Sequence, residues 1–299
     1  MLEVREGRKE YCGSRHGDGS FACARPIDRQ AKEPSPCLQV GGGIMCLILF
    51  AYDCHPRYQL VVAANRDEFY QRPALKAAFW PDNPAILAGR DLKEGGTWTG
   101  ITTTGRWAAL TNYRDPASFR PEAPSRGHLV HSYLSGHLDP PAYIESLGHG
   151  GEEYNGFNLL LGTHTALYYY SNRERLFREV EKGVHGLSNS LLDVPWPKVT
   201  KGIKSLADGL LHRDVSVEYL FAMMADREQP GDRDLPETGV GLEKERMLAP
   251  AFVLSPDYGT RVTTIILADR NHRVQFWERS FKPASTSPDS EVCYEFTPE

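Results

Sequence analysis

The chain of 299 residues contains no apolar run approaching the roughly 20 residues that a bilayer-crossing helix needs. Its mean hydropathy of -0.45 agrees, so membrane insertion is not expected. A basic excess is also missing: 34 Lys and Arg face 39 Asp and Glu, for a formal charge of -5. That balance argues against a general electrostatic grip on nucleic acid or anionic lipid, although local arginines can still bind acidic substrates. The six cysteines, Cys12, Cys23, Cys37, Cys46, Cys54 and Cys293, show no CxxC spacing. They read as reduced thiols of a cytoplasmic protein rather than as a disulfide framework. There is no Walker loop, no GxGxxG after a strand and no GxSxG elbow.

What is present is ordinary globular composition, 40% apolar and 24% charged. Residues 1–44 stand apart, rich in Gly, Ser, Pro and alternating charge, with no periodic apolar face and no signal-peptide core. They read as a disordered extension. Gly41, Gly42 and Gly43 imply GGN codons, and Ile44 separates them from Met45, as a translated bacterial ribosome-binding site would. On that reading Met45 is the true start, and residues 45–285 form a single domain followed by a loose tail, 286–299.

From Met45 the pattern becomes dense. Residues 46–52 and 58–65 are β-rich runs joined by a hairpin signal. Residues 97–103 and 106–112 repeat the idea around Thr104-Gly105, and 156–172 and 176–189 supply more paired strands. Two short helices over 126–147 are broken by "LDPP". The clearest helix is 197–211, where Val199, Ile203, Leu206 and Leu210 share a face and Pro197 suits the first turn. A helix over 216–226 follows, then a Gly-, Pro- and charge-rich surface loop over 227–245. Residues 261–269 and 273–281 form a last hairpin. Hairpins without βαβ alternation favour antiparallel sheets covered by helices.

Cys46 is the leading candidate for chemistry. Removal of Met45 before a small residue would expose it as the mature N-terminus. One carbon then bears a thiol nucleophile and an α-amine of pKa about 8 that serves as its base. In a paired hairpin, Asn65-Arg66-Asp67-Glu68 at the end of the second strand lies near the start of the first. Arg66 would favour the thiolate and Asp67 would orient the α-ammonium group. Neighbours on an extended strand face opposite ways, so both can face Cys46 only if the strand has ended or bulged. Cys54-His55 offers a soft ligand pair for haem iron, though an exposed loop is the simpler meaning. His128, His131 and His137 lack the Cys or carboxylate partners of a metal site.

"MCLILF", "NRDEFYQRP", "GGTWTG", "ALTNYR", "YNGFNLL" and "GLSNS" resemble, in this order, the NRDE or transport and Golgi organisation 2-like family. The resemblance covers about 45–280. It implies an α+β fold related to N-terminal nucleophile (Ntn) hydrolases, a four-layer αββα sandwich of two antiparallel sheets. A more distant likeness to the choloylglycine hydrolase and penicillin V acylase branch implies a catalytic set of Cys46, Arg66, Asp67, Asn112, Asn189 and Arg261. Asn112 would then donate to a developing oxyanion, Asn189 would position the substrate or the α-amine, and Asn65 and Trp98 would border the substrate. That branch separates the arginine and aspartate that are adjacent here. The implied activity is hydrolysis of a small amide, needing no cofactor. The family is also linked to haem mobilisation and secretory-pathway organisation, which implies haem as the alternative small-molecule partner of a non-catalytic carrier.

Overall fold

The computed structural model describes residues 45–149, 151–163 and 165–298. The extension of residues 1–44 lies outside the described residues. The first hairpin pairs β1 (Met45–Tyr52) with β2 (Tyr58–Phe69). Next come β3 (Ala74–Trp80), β4 (Asn83–Asp91), β5 (Thr99–Thr102) and β6 (Trp107–Asn112). After α1 (Gly127–Ser135) and α2 (Pro140–Ser146) follow β7 (Phe157–Gly162), β8 (Leu167–Ser171), β9 (Leu176–Glu179) and β10 (Gly183–Leu187). The helices α3 (Pro197–Gly209), α4 (Val217–Met224) and α5 (Leu242–Leu248) precede β11 (Tyr258–Asp269), β12 (Val274–Phe281) and β13 (Pro288–Phe296).

The strands build two antiparallel sheets, ordered β10-β1-β2-β11-β12-β13 and β3-β4-β5-β6-β7-β8-β9. Strand alternation decides what each face meets. Ile48, Phe50, Val62 and Phe276 of the first sheet pack between the sheets on Trp107, Leu160 and Tyr169 of the second. The opposite set, Leu47, Leu49, Val61, Ala63 and Ile265, meets Val199 and Leu206 of α3 and Leu220 and Phe221 of α4. On the far side, Ala108, Leu110, Leu159 and Leu161 meet Leu129, Val130 and Tyr133 of α1 and Ile144 of α2. The result is the four-layer αββα sandwich. Close approach of α3 to β1 requires glycine at 202, where a Cβ would lie 2.5 Å from Leu49 Cδ1.

Four segments differ from the sequence expectation. Residues 288–296 are not a loose tail: β13 pairs with β12, and Val292, Tyr294 and Phe296 reach the inter-sheet core. The alternating pattern is confined to this one short run, with Cys293 and Glu295 between the inward residues. β3 and β4 had no sequence assignment, because register irregularities interrupt their pairing and blur alternation. β9 and β10 do not pair with each other: β9 edges the second sheet and β10 the first. The charged 227–245 stretch runs into α5, where Glu245 is buried and ion-paired to Arg114.

Candidate active site

Cys46 enters the structure at the open end of β1. Its register partner on β2 is Arg66, and that of Met45 is Asp67. Cys46 follows the alternation of Ile48 and Phe50, and Arg66 that of Val62 and Ala64, so both belong to the inter-sheet face. Asn65 and Asp67 belong to the helix-facing set. β2 runs straight through to Phe69, so Arg66 and Asp67 do not share a face. The irregularity lies instead in the neighbouring strand: β11 bulges between Thr260 and Val262, and Arg261 is the extra residue.

Cys46, Arg66, Glu68, Trp98, Asn112 and Arg126 line one cleft of about 520 Å³. Arg66 is 2% exposed, its guanidinium stacked 4.3 Å from the Trp98 ring centroid. Arg66 Nη2 reaches Glu68 Oε2 at 3.3 Å. Glu68 Oε1 accepts from the Phe69 N–H at 2.8 Å, and Arg72 joins the group through Asp91 Oδ2 at 2.9 Å. A buried, alternating charge network thus forms the cleft floor. Trp98 fits flat against β4 because residue 89 is glycine: a Cβ there would lie 2.3 Å from the indole.

Burial pushes the Cys46 thiol up to about 12, Asp67 adds to the rise, and Arg66 opposes it. Within the intact chain this thiol is therefore protonated at neutral pH. Asp67 is fully buried, and its Oδ1 accepts from Thr260 Oγ1 at 2.6 Å. Its Oδ2 has no hydrogen-bond partner among the described residues. Burial raises its carboxyl above the usual range, and the charge of Lys198 on α3 pulls it back. The same burial lowers Lys198, whose Nζ donates to Leu248 O at 3.0 Å.

The remaining candidates divide by role. Asn189 Nδ2 donates to Asn112 O at 2.8 Å, and Asn189 O accepts from Arg114 N at 2.8 Å. Asn189 therefore braces the end of β6 that presents Asn112. Its neighbour Ser188 donates to Cys46 O at 3.2 Å, tying the end of β10 to the peptide of Cys46. Arg261 Nη1 donates to the carbonyls of Phe69, Tyr70 and Arg72, so it clamps the turn after β2 rather than lining the cleft. Asn65 corrects the sequence expectation most clearly. Its Nδ2 donates to Met224 O and Ala251 O at 2.8 and 2.7 Å, and its Oδ1 accepts from Thr263 Oγ1 at 2.6 Å. It fastens α4 to the sheet and does not border the cleft.

Sequence reasoning missed Arg72, Asp91 and Arg126. Glu68 stood inside the quoted "NRDE" without a role. Nothing local marks Arg126, which the docking of α1 delivers to the cleft, with Nη1 donating to Gly156 O at 2.9 Å. The proposed haem ligands do not fit iron. Cys54 is exposed, but His55 is 3% exposed, with Nε2 at 3.1 Å from His212 O and Nδ1 accepting from the Arg57 and Tyr58 N–H groups. His128 borders the cleft with Nε2 at 2.7 Å from Glu94 O. Among the described residues no group of three or more His, Cys, Asp or Glu is placed to hold a metal ion. No described helix is long and apolar enough to cross a membrane.

Fold and cleft together define an αββα sandwich protein with a cysteine at the open end of its first strand. The family model for Transport and Golgi organisation 2 matches residues 45–283, and the chain belongs to that family. It is 38% identical over 277 residues to the Transport and Golgi organization protein 2 homolog of Bos taurus, covering 84% of this chain and 99% of that protein. The Homo sapiens homolog is 39% identical over 275 residues, covering 85% and 99%. The Drosophila melanogaster Transport and Golgi organization protein 2 is 28% identical over 265 residues, covering 79% and 92%. Among solved structures, the Caenorhabditis elegans N-acylethanolamine-hydrolyzing acid amidase ortholog aligns with a TM-score of 0.37 and 9% identity, covering 60% of this chain and 85% of that one.

Proposed function

We propose that the protein is a cysteine amidohydrolase whose nucleophile is an N-terminal Cys46, acting on a small amide in the cytoplasm. The observation that carries this reading is the surroundings of Asp67. A fully buried carboxylate, with one oxygen that has no hydrogen-bond partner among the described residues, is the register partner of residue 45 across the β1–β2 ladder. A buried carboxylate in that condition is costly unless a cation compensates it. The α-ammonium of a Cys46 N-terminus is such a cation, one peptide unit away. The family match begins at Met45, which agrees with Cys46 as the first mature residue.

The neutral α-amine accepts the thiol proton, and sulfur attacks the substrate carbonyl carbon. Negative charge develops on the carbonyl oxygen, where the Asn112 side-chain N–H groups stabilise it. Collapse breaks the C–N bond, the leaving amine takes the proton, and a thioester remains on Cys46. Water, deprotonated by the same α-amine, attacks the thioester and releases the acid and the free thiol.

The second reading is a non-catalytic carrier of haem on the same scaffold. The arginines of the cleft suit propionate groups. The donor set does not suit iron, so no step is derived through that group.

One comparison tests the hydrolase. Protein translated from Met1 keeps the Cys46 nitrogen as an amide, which removes its basicity, and should fold but remain inert. Protein started at Met45, with methionine removed, should hydrolyse amides and acylate rapidly with a thiol-directed activity probe. N-terminal sequencing must accompany both assays. Equal hydrolysis by an uncleaved Met1 form shows that the amine is not the base; a Soret shift without acylation in the Met45 form supports the carrier.

A further inference from the structure

We infer that Lys198 is a positioning residue for the α-amine of an N-terminal Cys46: held on the helix side of Asp67, it supplies the cation that leaves this amine free to take the thiol proton. The catalytic consequence rests on the hydrolase reading, while the ionisation that Lys198 controls does not.

A lysine is costly at position 198 on two counts. It lies in the first turn of α3, where the helix dipole disfavours a cation, and it is only 6% exposed. Its Nζ donates to Leu248 O, at the C-terminal end of α5, at 3.0 Å. A carbonyl satisfies one of the three ammonium donors and does not neutralise the charge. The neutralising group is Asp67. Among the charges around Lys198 the Asp67 carboxylate acts most strongly, and among those around Asp67 the Lys198 ammonium does.

The other charges around this pair cancel. Arg114, just after β6, is ion-paired to Glu245 of α5, and both act on Lys198. Arg66 and Glu68 of β2 are ion-paired to each other, and both act on Asp67. From β11, Tyr258 and Thr260 give only hydroxyls, to Asp67 O at 3.1 Å and to Asp67 Oδ1. The Cys46 thiol of β1 is neutral. Asp67 and Lys198 therefore balance before any proton is placed on the α-nitrogen, and an α-ammonium is a second cation beside one carboxylate. Ordinary values decide which amine keeps its proton, about 8 for an α-amine against about 10.4 for lysine. Burial lowers Lys198 to about 8. It lowers the nitrogen of the 3% exposed Cys46 from a lower start. Without Lys198, Asp67 and the amine together retain one proton at neutral pH. Held on nitrogen beside the Asp67 carboxylate, that proton leaves no lone pair for the thiol.

The test follows ionisation directly and needs no turnover. Protein started at Met45 contains every described strand and helix. It is labelled with 15N-cysteine, loss of methionine is checked by intact mass, and the α-amine nitrogen resonance is followed against pH. The amine should titrate at or below about 8. Lys198→Met should raise that midpoint by about one pH unit or more, and Lys198→Arg, which keeps the charge, should leave it near the parent value. A merely structural tie between α3 and α5 would cost thermal stability in Lys198→Met and leave the midpoint in place. An unmoved or lowered midpoint in folded Lys198→Met therefore overturns the inference, as does a rise of equal size in folded Lys198→Arg. If the methionine variant does not fold, the order of titration in the unsubstituted protein carries the test. Spectra of 13C-lysine-labelled protein should show Lys198 still protonated where the α-amine is half neutral, and earlier loss of the Lys198 proton overturns the inference. The expected shift in a protein that hydrolyses nothing sinks the hydrolase alone. Amide hydrolysis by a protein whose amine ignores Lys198→Met sinks this inference alone.

Discussion

Cys46 and Arg66 are register partners at the open end of the first sheet, and both belong to its inter-sheet face. Asp67, one residue further along β2, belongs to the other face and meets α3 through the charge of Lys198. The strand separates two tasks. Arg66 acts on the thiol and the cleft, while Asp67 stands beside the position of the α-nitrogen. On the hydrolase reading, an arginine and an aspartate adjacent in sequence serve one cysteine, the arginine through its thiol and the aspartate through its α-amine.

Removing sulfur tests the nucleophile. Cys46→Ala should abolish hydrolysis and acylation while costing only about 1 kcal/mol of stability, within the range of small core truncations. Cys46→Ser should keep weak activity, since an alcohol ionises less readily than a thiol. Turnover and denaturant unfolding measured on the same preparations check both halves, and full turnover by the alanine variant ends the nucleophile assignment.

Asn112 and Asn189 should differ in kind. Asn112→Ala should lower kcat by about a hundredfold or more with little change in KM. Asn189→Ala removes the donor to Asn112 O and should lower kcat less, together with a loss of thermal stability. A large rise in KM for Asn112→Ala with kcat preserved would reassign that side chain to substrate recognition.

Asn65 should behave as a structural fastener. Asn65→Ala leaves the Met224 and Ala251 carbonyls and the Thr263 hydroxyl without their partner, at a cost of about 2–4 kcal/mol. KM for any amide should stay within about twofold of the parent, because transition-state and ground-state contacts are untouched. A KM effect without destabilisation contradicts this.

Glu278 on β12 makes stability pH-dependent. Burial raises its carboxyl to about 7, against the Ala77 N–H that Oε1 accepts at 2.6 Å and the charge of Arg66. The folded state holds this proton more tightly than the unfolded chain. Its stabilising effect is therefore complete below the unfolded value of 4.5 and is lost as pH rises through the folded value near 7. Between about pH 5 and pH 8 the protein should lose roughly 2–3 kcal/mol relative to Glu278→Gln. Denaturant titrations of both proteins at the two pH values decide it; parallel pH profiles refute it.

Alternation and turn chemistry in the sequence alone determined the first hairpin, the Thr104-Gly105 hairpin, α1 to α4 and the last β11–β12 pair, because each signal is local. The order of the motifs determined the family, and the Met45-Cys46 junction marked the candidate nucleophile. Tertiary structure decided the rest. Which of Asn65, Arg66 and Asp67 reaches the cleft depends on long-range register and on a bulge located in β11, not in β2. Arg261 is drawn to the carbonyls of the turn after β2 because the bulge places it there. Arg126 joins Cys46 only when α1 docks on the second sheet, 80 residues further along the chain. β13 becomes a strand because β12 offers it an edge and the core accepts Val292, Tyr294 and Phe296. Such contacts depend on where distant elements meet, and no window of neighbouring residues carries that information.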